Sequence, residues 1–273
     1  MNQLSELIER LKSGKISEKD FETEILKIVP ACSYIENVDN MTRFDVSRKE
    51  RTGIPETVFS KNKSKEQLEK ILEKVLPSQD FLFFTRIDSP KAEYLLTKKE
   101  NYKEFDIIHE PTAETLLFKK TGFEFPKHGG IIAIFTAGTS DIPIAKEAQL
   151  IAEIAGCEVI SFYDVGIAGI HRIFDPIKEC IMKDVDCIIV VAGMEGTLPS
   201  VIATLIDVPV IGVPTSVGYG FHGEGISALS SILQSCSPGL AAVNIDNGFG
   251  AGAMASVISR RISKERNRKA LDK

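Results

Sequence analysis

The sequence predicts an α/β protein whose C-terminal part is a doubly wound parallel sheet and whose N-terminal part is a smaller α/β domain. After residue 128, apolar segments of strand length alternate with segments of helix length, which is typical of a parallel sheet covered by helices on both faces. The segment CIIVVA (187–192) is apolar without interruption, as expected of a strand buried on both faces. The composition also changes near Lys127–Gly130, from rich in Lys and Glu to rich in Ala, Ile, Val and Gly. We therefore predict one domain over residues 1–127 and a second over residues 128–273.

The elements of the first domain follow from helical spacing, helix caps and one apolar run. Apolar residues at helical spacing predict amphipathic helices, and Gly, Ser and Pro mark their ends. In chain order we predict a helix ended by Gly14, a helix capped by Ser17, a helix opened by Ser64, the buried strand FLFFTRI (81–87) and a helix around KAEYLLTKK (91–99).

The second domain contains five predicted strands, each followed by a helix. The strands are GIIAIFT (130–136), CEVISFYD (157–164), DVDCIIVVA (184–192), VPVIGVP (208–214) and LAAVNID (240–246). The helices lie within 142–156, 167–183, 197–206, 227–236 and 250–263. Ligands of such sheets bind beyond the carboxyl ends of the strands, so the loops that follow the strands are the candidate binding segments.

Composition and charge argue against a nucleic-acid-binding, secreted or membrane protein. The chain has 273 residues, 43% of them hydrophobic, and a formal net charge of −5. It can therefore bury a sizeable core, and it lacks the bulk basic surface of a nucleic-acid-binding protein. The sequence contains neither a secretory h-region nor an apolar run of membrane-spanning length, so we predict a cytoplasmic protein without membrane contact.

The cysteines argue against a structural zinc site and for reduced thiols. None of them forms a C-x-x-C pair, and their odd number in a long chain favours a reducing compartment. The five are Cys32, Cys157, Cys180, Cys187 and Cys236.

The loop TAGTSD follows the first strand of the second domain. Gly138, Ser140 and Asp141 lie in it. Backbone N–H groups there, together with the dipole of the following helix, can form an anion site. The loop is neither G-x-G-x-x-G nor a P-loop, and taken by itself it favours Ser140 or Asp141 as a simple helix cap.

The loop AGMEGTLPSV follows the third strand and places Glu195 between Gly193 and Gly196. A carboxylate in this position can act as a general base. From the residues alone, an exposed loop glutamate is an equally good interpretation.

Two further loops end strands of the same sheet. Asp164 and Gly166 follow the second strand, with His171 and Arg172 beyond, which are either a phosphate or carboxylate contact or a helix surface. At the end of the fifth strand, the pair Asp246–Asn247 precedes GFGAGA. That segment indicates a close backbone approach to a ligand or a tight turn.

The first domain carries a charged segment, RFDVSRKERTGIPETVF (43–59), that includes Arg48 and Arg51. A solvated loop is the interpretation favoured by spacing alone. The alternative is a clamp for phosphate or carboxylate, because the guanidinium fork binds both groups through two hydrogen bonds.

Cys236 lies between a predicted helix and Pro238–Gly239. A cysteine is an ordinary small core residue unless its surroundings make it a nucleophile. We predict that this helix end lets the side chain face a cavity at the mouth of the sheet.

Several of these segments resemble the aminoimidazole ribonucleotide (AIR) carboxylase family, which has this fold and assembles as an octamer. One position differs, since Thr197 precedes Leu198–Pro199 where those carboxylases carry a catalytic histidine. The resembling segments are TAGTSD, AGMEGTLPSVIATLIDVPVIGVP, ALSSILQS and GFGAGA.

A fuller resemblance, over residues 40–262, is to the LarB family of pyridinium-3,5-biscarboxylic acid mononucleotide synthases, which act in nickel-pincer cofactor synthesis. The loop Phe221–Glu224 departs from that family's pattern of small residues around glycines. The resembling segments are RFDVSRKERTGIPETVF, FYDVGIAGIHR, VVAGMEGTLPSV, GVPTSVGYG, SCSPG and VNIDNGFGAG.

The LarB resemblance implies carboxylation of nicotinic acid adenine dinucleotide by CO2 at C5 of its pyridinium ring, with hydrolysis of the phosphoanhydride to release AMP. It implies Cys236 as the covalent nucleophile and Glu195 as the base. It also implies no organic cofactor, Mg²⁺ as an assisting cation without identified ligands, and a homo-oligomer, an octamer by analogy. Two alternatives stay open: an AIR carboxylase or mutase of purine synthesis, and a non-catalytic nucleotide-binding module. The implied substrate contacts are Arg48, Arg51, Gly138, Ser140, Asp141, Asp164, Gly166, Gly193, Gly196, Asp246 and Asn247.

Overall fold

The computed structural model describes residues 3–28, 35–39, 41–220 and 223–271. Cys32 and the first half of the departing loop, Phe221 and His222, lie outside the described residues. Within the described ranges, no helix has both the length and the apolar character needed to cross a membrane.

The first half of the chain forms a hairpin, a four-stranded sheet and several helices. The sheet has the order β3-β4-β6-β5, with β3 parallel to β4 and the other pairs antiparallel, and β1 pairs with β2. The elements are α1 (Gln3–Lys12), α2 (Glu18–Ile28), β1 (Ile35–Val38), β2 (Thr42–Asp45), α3 (Arg48–Thr52), β3 (Val58–Phe59), α4 (Lys65–Val75), β4 (Phe81–Thr85), α5 (Ser89–Leu96), β5 (Phe105–Glu110) and β6 (Thr115–Lys120).

The caps predicted for this half form as expected. The Ser64 hydroxyl accepts the Gln67 N–H at 3.2 Å, and the Gln67 side chain accepts the Ser64 N–H at 2.9 Å. This reciprocal capping box fixes the start of α4. Ser17 likewise accepts the Asp20 N–H at 3.1 Å at the start of α2. The sequence analysis missed α3, which lies inside the segment interpreted as a charged loop.

The second half is a five-stranded sheet in which every strand is parallel to its neighbours, with the order β11-β10-β9-β7-β8. Counted from β7, this is the doubly wound order 2-1-3-4-5, and it confirms the predicted fold class. The elements are β7 (Ile131–Thr136), α6 (Ile142–Ala155), β8 (Glu158–Phe162), α7 (Phe174–Met182), β9 (Cys187–Ala192), α8 (Thr197–Ala203), β10 (Val210–Pro214), α9 (Ile226–Leu233), β11 (Leu240–Ala242) and α10 (Gly248–Leu271).

Helices cover both faces of this sheet. Apolar residues of α7 and α8 pack on one face, and small residues of α6 and α10, such as Ala148 and Ala255, pack on the other. Small side chains let α6 and α10 approach the sheet and each other closely. The strands β7 and β9 are neighbours although β8 separates them in the chain, so the strand order reverses between them. A ligand site is expected beyond the carboxyl ends of the strands at such a point.

The first-half sheet packs against α6 and α10 through a shared apolar cluster. Phe83 and Leu117 contribute from β4 and β6, and Ile151 and Ile154 contribute from α6. All four side chains are buried. The two halves are therefore held together by a continuous apolar contact, and residues after β4 come to lie beside the carboxyl edge of the second sheet.

Candidate active site

A cavity of about 630 Å³ lies where the strand order reverses, at the carboxyl ends of β7, β8, β9 and β10. We call it the sheet-edge cavity. Six of the predicted site residues line it: Gly138, Ser140, Asp141, Gly166, Gly193 and Glu195. The parallel strands bring these residues together although they are spread over nearly 60 positions of sequence. Arg172, for which the sequence left an anion contact and a helix surface open, also lines the cavity, as do Met194, Thr197 and Tyr219, which were not among the predicted contacts.

Asp141 holds two loops of this cavity in place. One carboxylate oxygen accepts the Gly138 N–H at 2.8 Å and the other accepts the Thr215 hydroxyl at 2.8 Å. Burial raises the pKa of the Asp141 carboxyl, while these two hydrogen bonds act in the opposite direction. Asp141 is the N-cap residue of α6 by position but makes no side-chain bond to that helix. Its bond to the Gly138 N–H instead caps the single 3-10 turn Thr139–Asp141 that precedes α6. Ser140, by contrast, is exposed on the cavity wall.

The loop after β9 needs its glycines for close passage of the backbone. A Cβ on Gly193 would lie 2.1 Å from the carbonyl oxygen of Val217. Gly196 has a φ of +62°, and a Cβ there would lie 2.7 Å from the carbonyl oxygen of Ala228. Between them, Met194 also has a positive φ, of 51°, which a side-chain-bearing residue seldom adopts. This tight loop presents Glu195 at the cavity rim, where its side chain is exposed.

Arg172 supplies a positive charge to the sheet-edge cavity. Its Nη1 lies 2.9 Å from Oδ2 of Asp164, whose own N–H donates to the Thr136 hydroxyl at 3.0 Å. Asp164 is thus a partner that orients the guanidinium rather than a wall of the cavity. Of the two interpretations of His171–Arg172, the position of Arg172 in the cavity lining favours the anion contact, which stays a prediction.

The remaining predicted contacts lie elsewhere. Arg48, Asp246 and Asn247 line a separate cavity of about 390 Å³ between the two halves of the chain, which we call the interdomain cavity. Arg51 pairs with Asp45 and lines neither cavity. The predicted substrate contacts are therefore divided between two cavities, and three of them, Arg51, Asp164 and Gly196, line neither.

The two cavities are direct neighbours. Thr215 and Ser216 follow β10, and Thr215 donates to Asp141 in the sheet-edge cavity. The N–H of Ser216 donates to a carboxylate oxygen of Asp246, in the interdomain cavity, at 2.7 Å. Two consecutive residues thus connect a residue of one cavity to a residue of the other.

Cys236 lines neither cavity in the single chain. Helix α9 begins at the carboxyl edge of the sheet and runs antiparallel to the strands, so the segment after it, just before β11, lies at the amino edge. The side chain is exposed there. The expectation that it faces the cavity at the mouth of the sheet is not met within one chain, and its catalytic role stays a prediction.

The other described cysteines are buried in the core. Burial raises the pKa of Cys180 and of Cys187 to about 12, so both thiols are inert at neutral pH. Among the four cysteines that the structure describes, Cys236 is the exposed one.

The described residues contain no group of three or more His, Cys, Asp or Glu side chains placed to hold a metal ion. Of the carboxylates near the two cavities, Asp141 and Asp246 already accept hydrogen bonds from neighbouring loops. This donor set does not form a resident metal site, and no step below is routed through a metal. The assisting Mg²⁺ stays a prediction.

Comparison with protein families assigns both halves of the chain. Residues 131–273 match the family described as AIR carboxylase, and residues 35–120 match the family described as the LarB/PurE-like N-terminal domain.

Similar proteins cover either the whole chain or its second half. An uncharacterized protein of Methanocaldococcus jannaschii is 45% identical over 261 residues, which is 96% of this chain and 98% of that protein. The N5-carboxyaminoimidazole ribonucleotide mutase of Thermotoga maritima is 32% identical over 134 residues, 46% of this chain and 73% of the mutase. The corresponding mutase of M. jannaschii is 34% identical over 128 residues, 46% of this chain and 76% of that enzyme.

The AIR carboxylase match spans more than half of the sequence and coincides with the five-stranded sheet and its cavity. The match to the N-terminal domain coincides with the hairpin and the four-stranded sheet. The chain therefore belongs to the AIR carboxylase family, whose members are enzymes of the carboxylase and mutase kind, and it carries a LarB/PurE-like N-terminal domain.

Proposed function

We propose that this enzyme carboxylates the pyridinium ring of nicotinic acid adenine dinucleotide at C5 and hydrolyses the phosphoanhydride, giving pyridinium-3,5-biscarboxylic acid mononucleotide and AMP. The observation that carries the proposal is the lining of the sheet-edge cavity. Thr197 lines it where AIR carboxylases carry their catalytic histidine, and no described histidine lines it. Purine-type proton transfer would lack its usual base here, whereas Glu195 and Arg172 line the cavity and supply a carboxylate and a positive charge.

The chemistry needs a nucleophile because a pyridinium ring is electron-poor and does not attack CO2. In our proposal the Cys236 thiolate adds to C4 of the ring, which becomes a neutral dihydropyridine with a nucleophilic enamine carbon at C5. C5 then forms a bond to CO2, and the ring nitrogen becomes an iminium. Removal of the C5 proton by a base restores the enamine, which expels the thiolate and regains aromaticity. The sequence releases one proton and consumes no oxidant, and it divides one difficult step into easier ones.

The residues of the sheet-edge cavity have distinct roles in this scheme. Arg172, oriented by Asp164, binds the phosphate of the nicotinate mononucleotide half through charge-assisted hydrogen bonds. Ser140 and the Gly138 loop complete the anion contact. Glu195, at the cavity rim, removes the C5 proton.

Because Cys236 lies at the far edge of its own sheet, we propose that it reaches the ring from a neighbouring copy in a homo-oligomer. Helix α9, just before Cys236, exposes Ile226 (49%) and Leu233 (66%). Large apolar side chains on a surface favour burial against a partner. Leu233 lies three residues before the thiol, and its exposure supports an interface that would carry Cys236 into another copy's cavity.

The test is product analysis by mass spectrometry after incubation with nicotinic acid adenine dinucleotide and ¹³C-bicarbonate. We expect a mononucleotide that gains one labelled carboxylate, with an equal amount of AMP. Cys236→Ala should abolish carboxylation, and Glu195→Gln should slow it by about 10²- to 10⁴-fold. Cys180→Ala, which removes a buried thiol, should retain activity and serves as the control. Wild-type carboxylation by Cys236→Ala would end the covalent proposal.

Mixing the two inactive variants tests whether the thiol comes from another copy. If each site takes Glu195 from one chain and Cys236 from a neighbour, mixed oligomers of Cys236→Ala and Glu195→Gln chains in equal amounts regain intact pairs at about one quarter of their sites. If both residues act from the same chain, no site in the mixture is intact. Activity that stays at the level of the separate variants would therefore exclude the neighbouring thiol.

Two other functions predict different results. An aminoimidazole ribonucleotide carboxylase or mutase would turn over its purine precursor regardless of Cys236 alkylation. A non-catalytic nucleotide-binding module would be stabilised against unfolding by the dinucleotide and release no AMP.

A further inference from the structure

The interdomain cavity joins two sequence signatures that the carboxylation chemistry does not use. Arg48, Thr57 and Phe59 belong to the charged segment of the N-terminal domain, and Asn247 and Phe249 belong to the glycine-rich segment after β11. These segments are about 190 positions apart in the chain, yet both line one cavity of about 390 Å³.

One wall of this cavity is rigid because its charges are paired. Glu147 is 2% exposed and accepts hydrogen bonds from the Thr85 hydroxyl, from Arg86 Nε at 3.2 Å and from the Phe249 N–H at 3.1 Å. Arg86 also donates to the carbonyl of Asp246. These bonds cross from the first sheet to α6 and α10, so the two halves hold the cavity open in a defined shape.

Other groups that line the interdomain cavity are free to bind a ligand. Lys61 forms no ion pair with any residue that the structure describes, while Arg48 is balanced by Glu56 at 3.0 Å. The Thr57 hydroxyl is buried and has no hydrogen-bond partner within the described ranges. Phe59 is 50% exposed although it is a large aromatic side chain.

This combination fits a nucleoside monophosphate. An aromatic face stacks with a base, because every base has a π face. The ammonium and guanidinium groups of Lys61 and Arg48 bind phosphate oxygens. A buried hydroxyl without a partner costs free energy unless a ligand satisfies it, and Thr57 lies on the same wall.

We propose that the interdomain cavity binds the adenylate half of the dinucleotide, with Phe59 stacking on the base and Lys61 binding the phosphate. This inference rests on the proposed function for the identity of the base. Asp141 of the sheet-edge cavity and Asp246 of the interdomain cavity are hydrogen-bonded to the consecutive residues Thr215 and Ser216. In this proposal a dinucleotide places one half in each cavity with its phosphoanhydride near these two residues, and AMP is left in the interdomain cavity after cleavage.

The experiment measures AMP, nicotinic acid mononucleotide and inorganic phosphate binding to the full chain by isothermal titration calorimetry. Phe59→Ala should weaken AMP binding about tenfold, from the loss of one stacking contact, and leave nicotinic acid mononucleotide binding unchanged. Lys61→Ala should weaken the binding of both AMP and inorganic phosphate. Phe174→Ala is the matched control, since Phe174 is 48% exposed and lines neither cavity.

The outcomes separate this inference from the proposed function. Unchanged AMP affinity in both Phe59→Ala and Lys61→Ala overturns the inference, even if the wild-type enzyme carboxylates the dinucleotide. Phe59-dependent AMP binding without carboxylation of the dinucleotide supports the nucleotide site and overturns the proposed function. Loss of AMP binding in Phe174→Ala of the same size as in Phe59→Ala also overturns the inference, because a position outside the cavity would then matter equally.

Discussion

Glu147 should be among the side chains whose charge contributes most to the free energy of unfolding. Its carboxylate lies in α6 with 2% exposure and accepts from Thr85, from two nitrogens of Arg86 and from the Phe249 N–H. Glu147→Gln keeps the shape of the side chain but replaces one acceptor oxygen by an NH₂ group. At least two donors then lose their acceptor, and Arg86 loses its counter-charge.

The magnitude follows from the exposure of the partners. Breaking a buried ion pair on one side costs about 3–5 kcal/mol. The Arg86 side chain is 21% exposed, and water can solvate part of its charge, so we expect Glu147→Gln to lower the unfolding free energy by about 2–4 kcal/mol. The matched control is Glu153→Gln on the same helix. Glu153 accepts one bond, from Gln149 at 2.8 Å, and its replacement should cost less than about 1 kcal/mol.

The assay is urea unfolding followed by circular dichroism at helical wavelengths, since the chain contains no tryptophan. The double variant Arg86→Gln/Glu147→Gln should be less destabilised than the sum of the two single variants, because the second substitution removes a charge that the first left unpaired. Two results would refute an energetically coupled contact between the halves. One is a decrease in unfolding free energy below about 0.5 kcal/mol for Glu147→Gln, and the other is a double-variant decrease equal to the sum of the two single-variant decreases.

Three further results are expected. Iodoacetamide at neutral pH should label Cys236 in the folded protein and spare Cys180, whose pKa burial raises to about 12, and equal labelling in a peptide map would contradict this. Burial lowers the pKa of His128 below 6.5, so the unfolded chain takes up a proton before the folded chain does as the pH falls through 6.5. The unfolding free energy should then decrease with falling pH, less steeply in His128→Gln, and parallel pH profiles would count against this. Gly196→Ala should lower the unfolding free energy by about 2–4 kcal/mol, from a left-handed backbone and a close carbonyl contact. Gly138→Ala is the control, because a Cβ there would lie no closer than 3.8 Å to a neighbouring atom and the φ of Gly138 is not positive. It should lower the unfolding free energy far less, and similar melting temperatures for the two variants would contradict the steric argument.

Much of the second half was predictable because its signals are local. Uninterrupted apolar runs such as 187–192 predict buried parallel strands, and all carboxyl ends of such strands lie at one edge. That rule places Ser140, Gly166 and Glu195 in one neighbourhood without any knowledge of side-chain contacts. The first half was less predictable, since β5 and β6 have neither clear alternation nor a hairpin signal in their sequence.

The direction of the connecting helices also predicts where Cys236 lies. A helix that connects two parallel strands begins at the carboxyl edge and ends at the amino edge, so a residue between α9 and β11 lies away from the strand ends. Cys236 could have been placed at the amino edge from the predicted order of elements alone.

The sequence by itself determined the fold class and the loops that line the sheet-edge cavity, because periodicity, glycine turns and strand direction can be read from neighbouring residues. Tertiary structure alone decided that Arg86 meets Glu147 across 61 positions and that Phe59 and Phe249, 190 positions apart, line the same cavity. Those pairs form when one sheet packs on the helices of another, and that packing depends on the complementary shapes of two apolar surfaces. Local sequence patterns do not reveal such complementarity, so the interdomain cavity could not be predicted before the packing of the two halves was known.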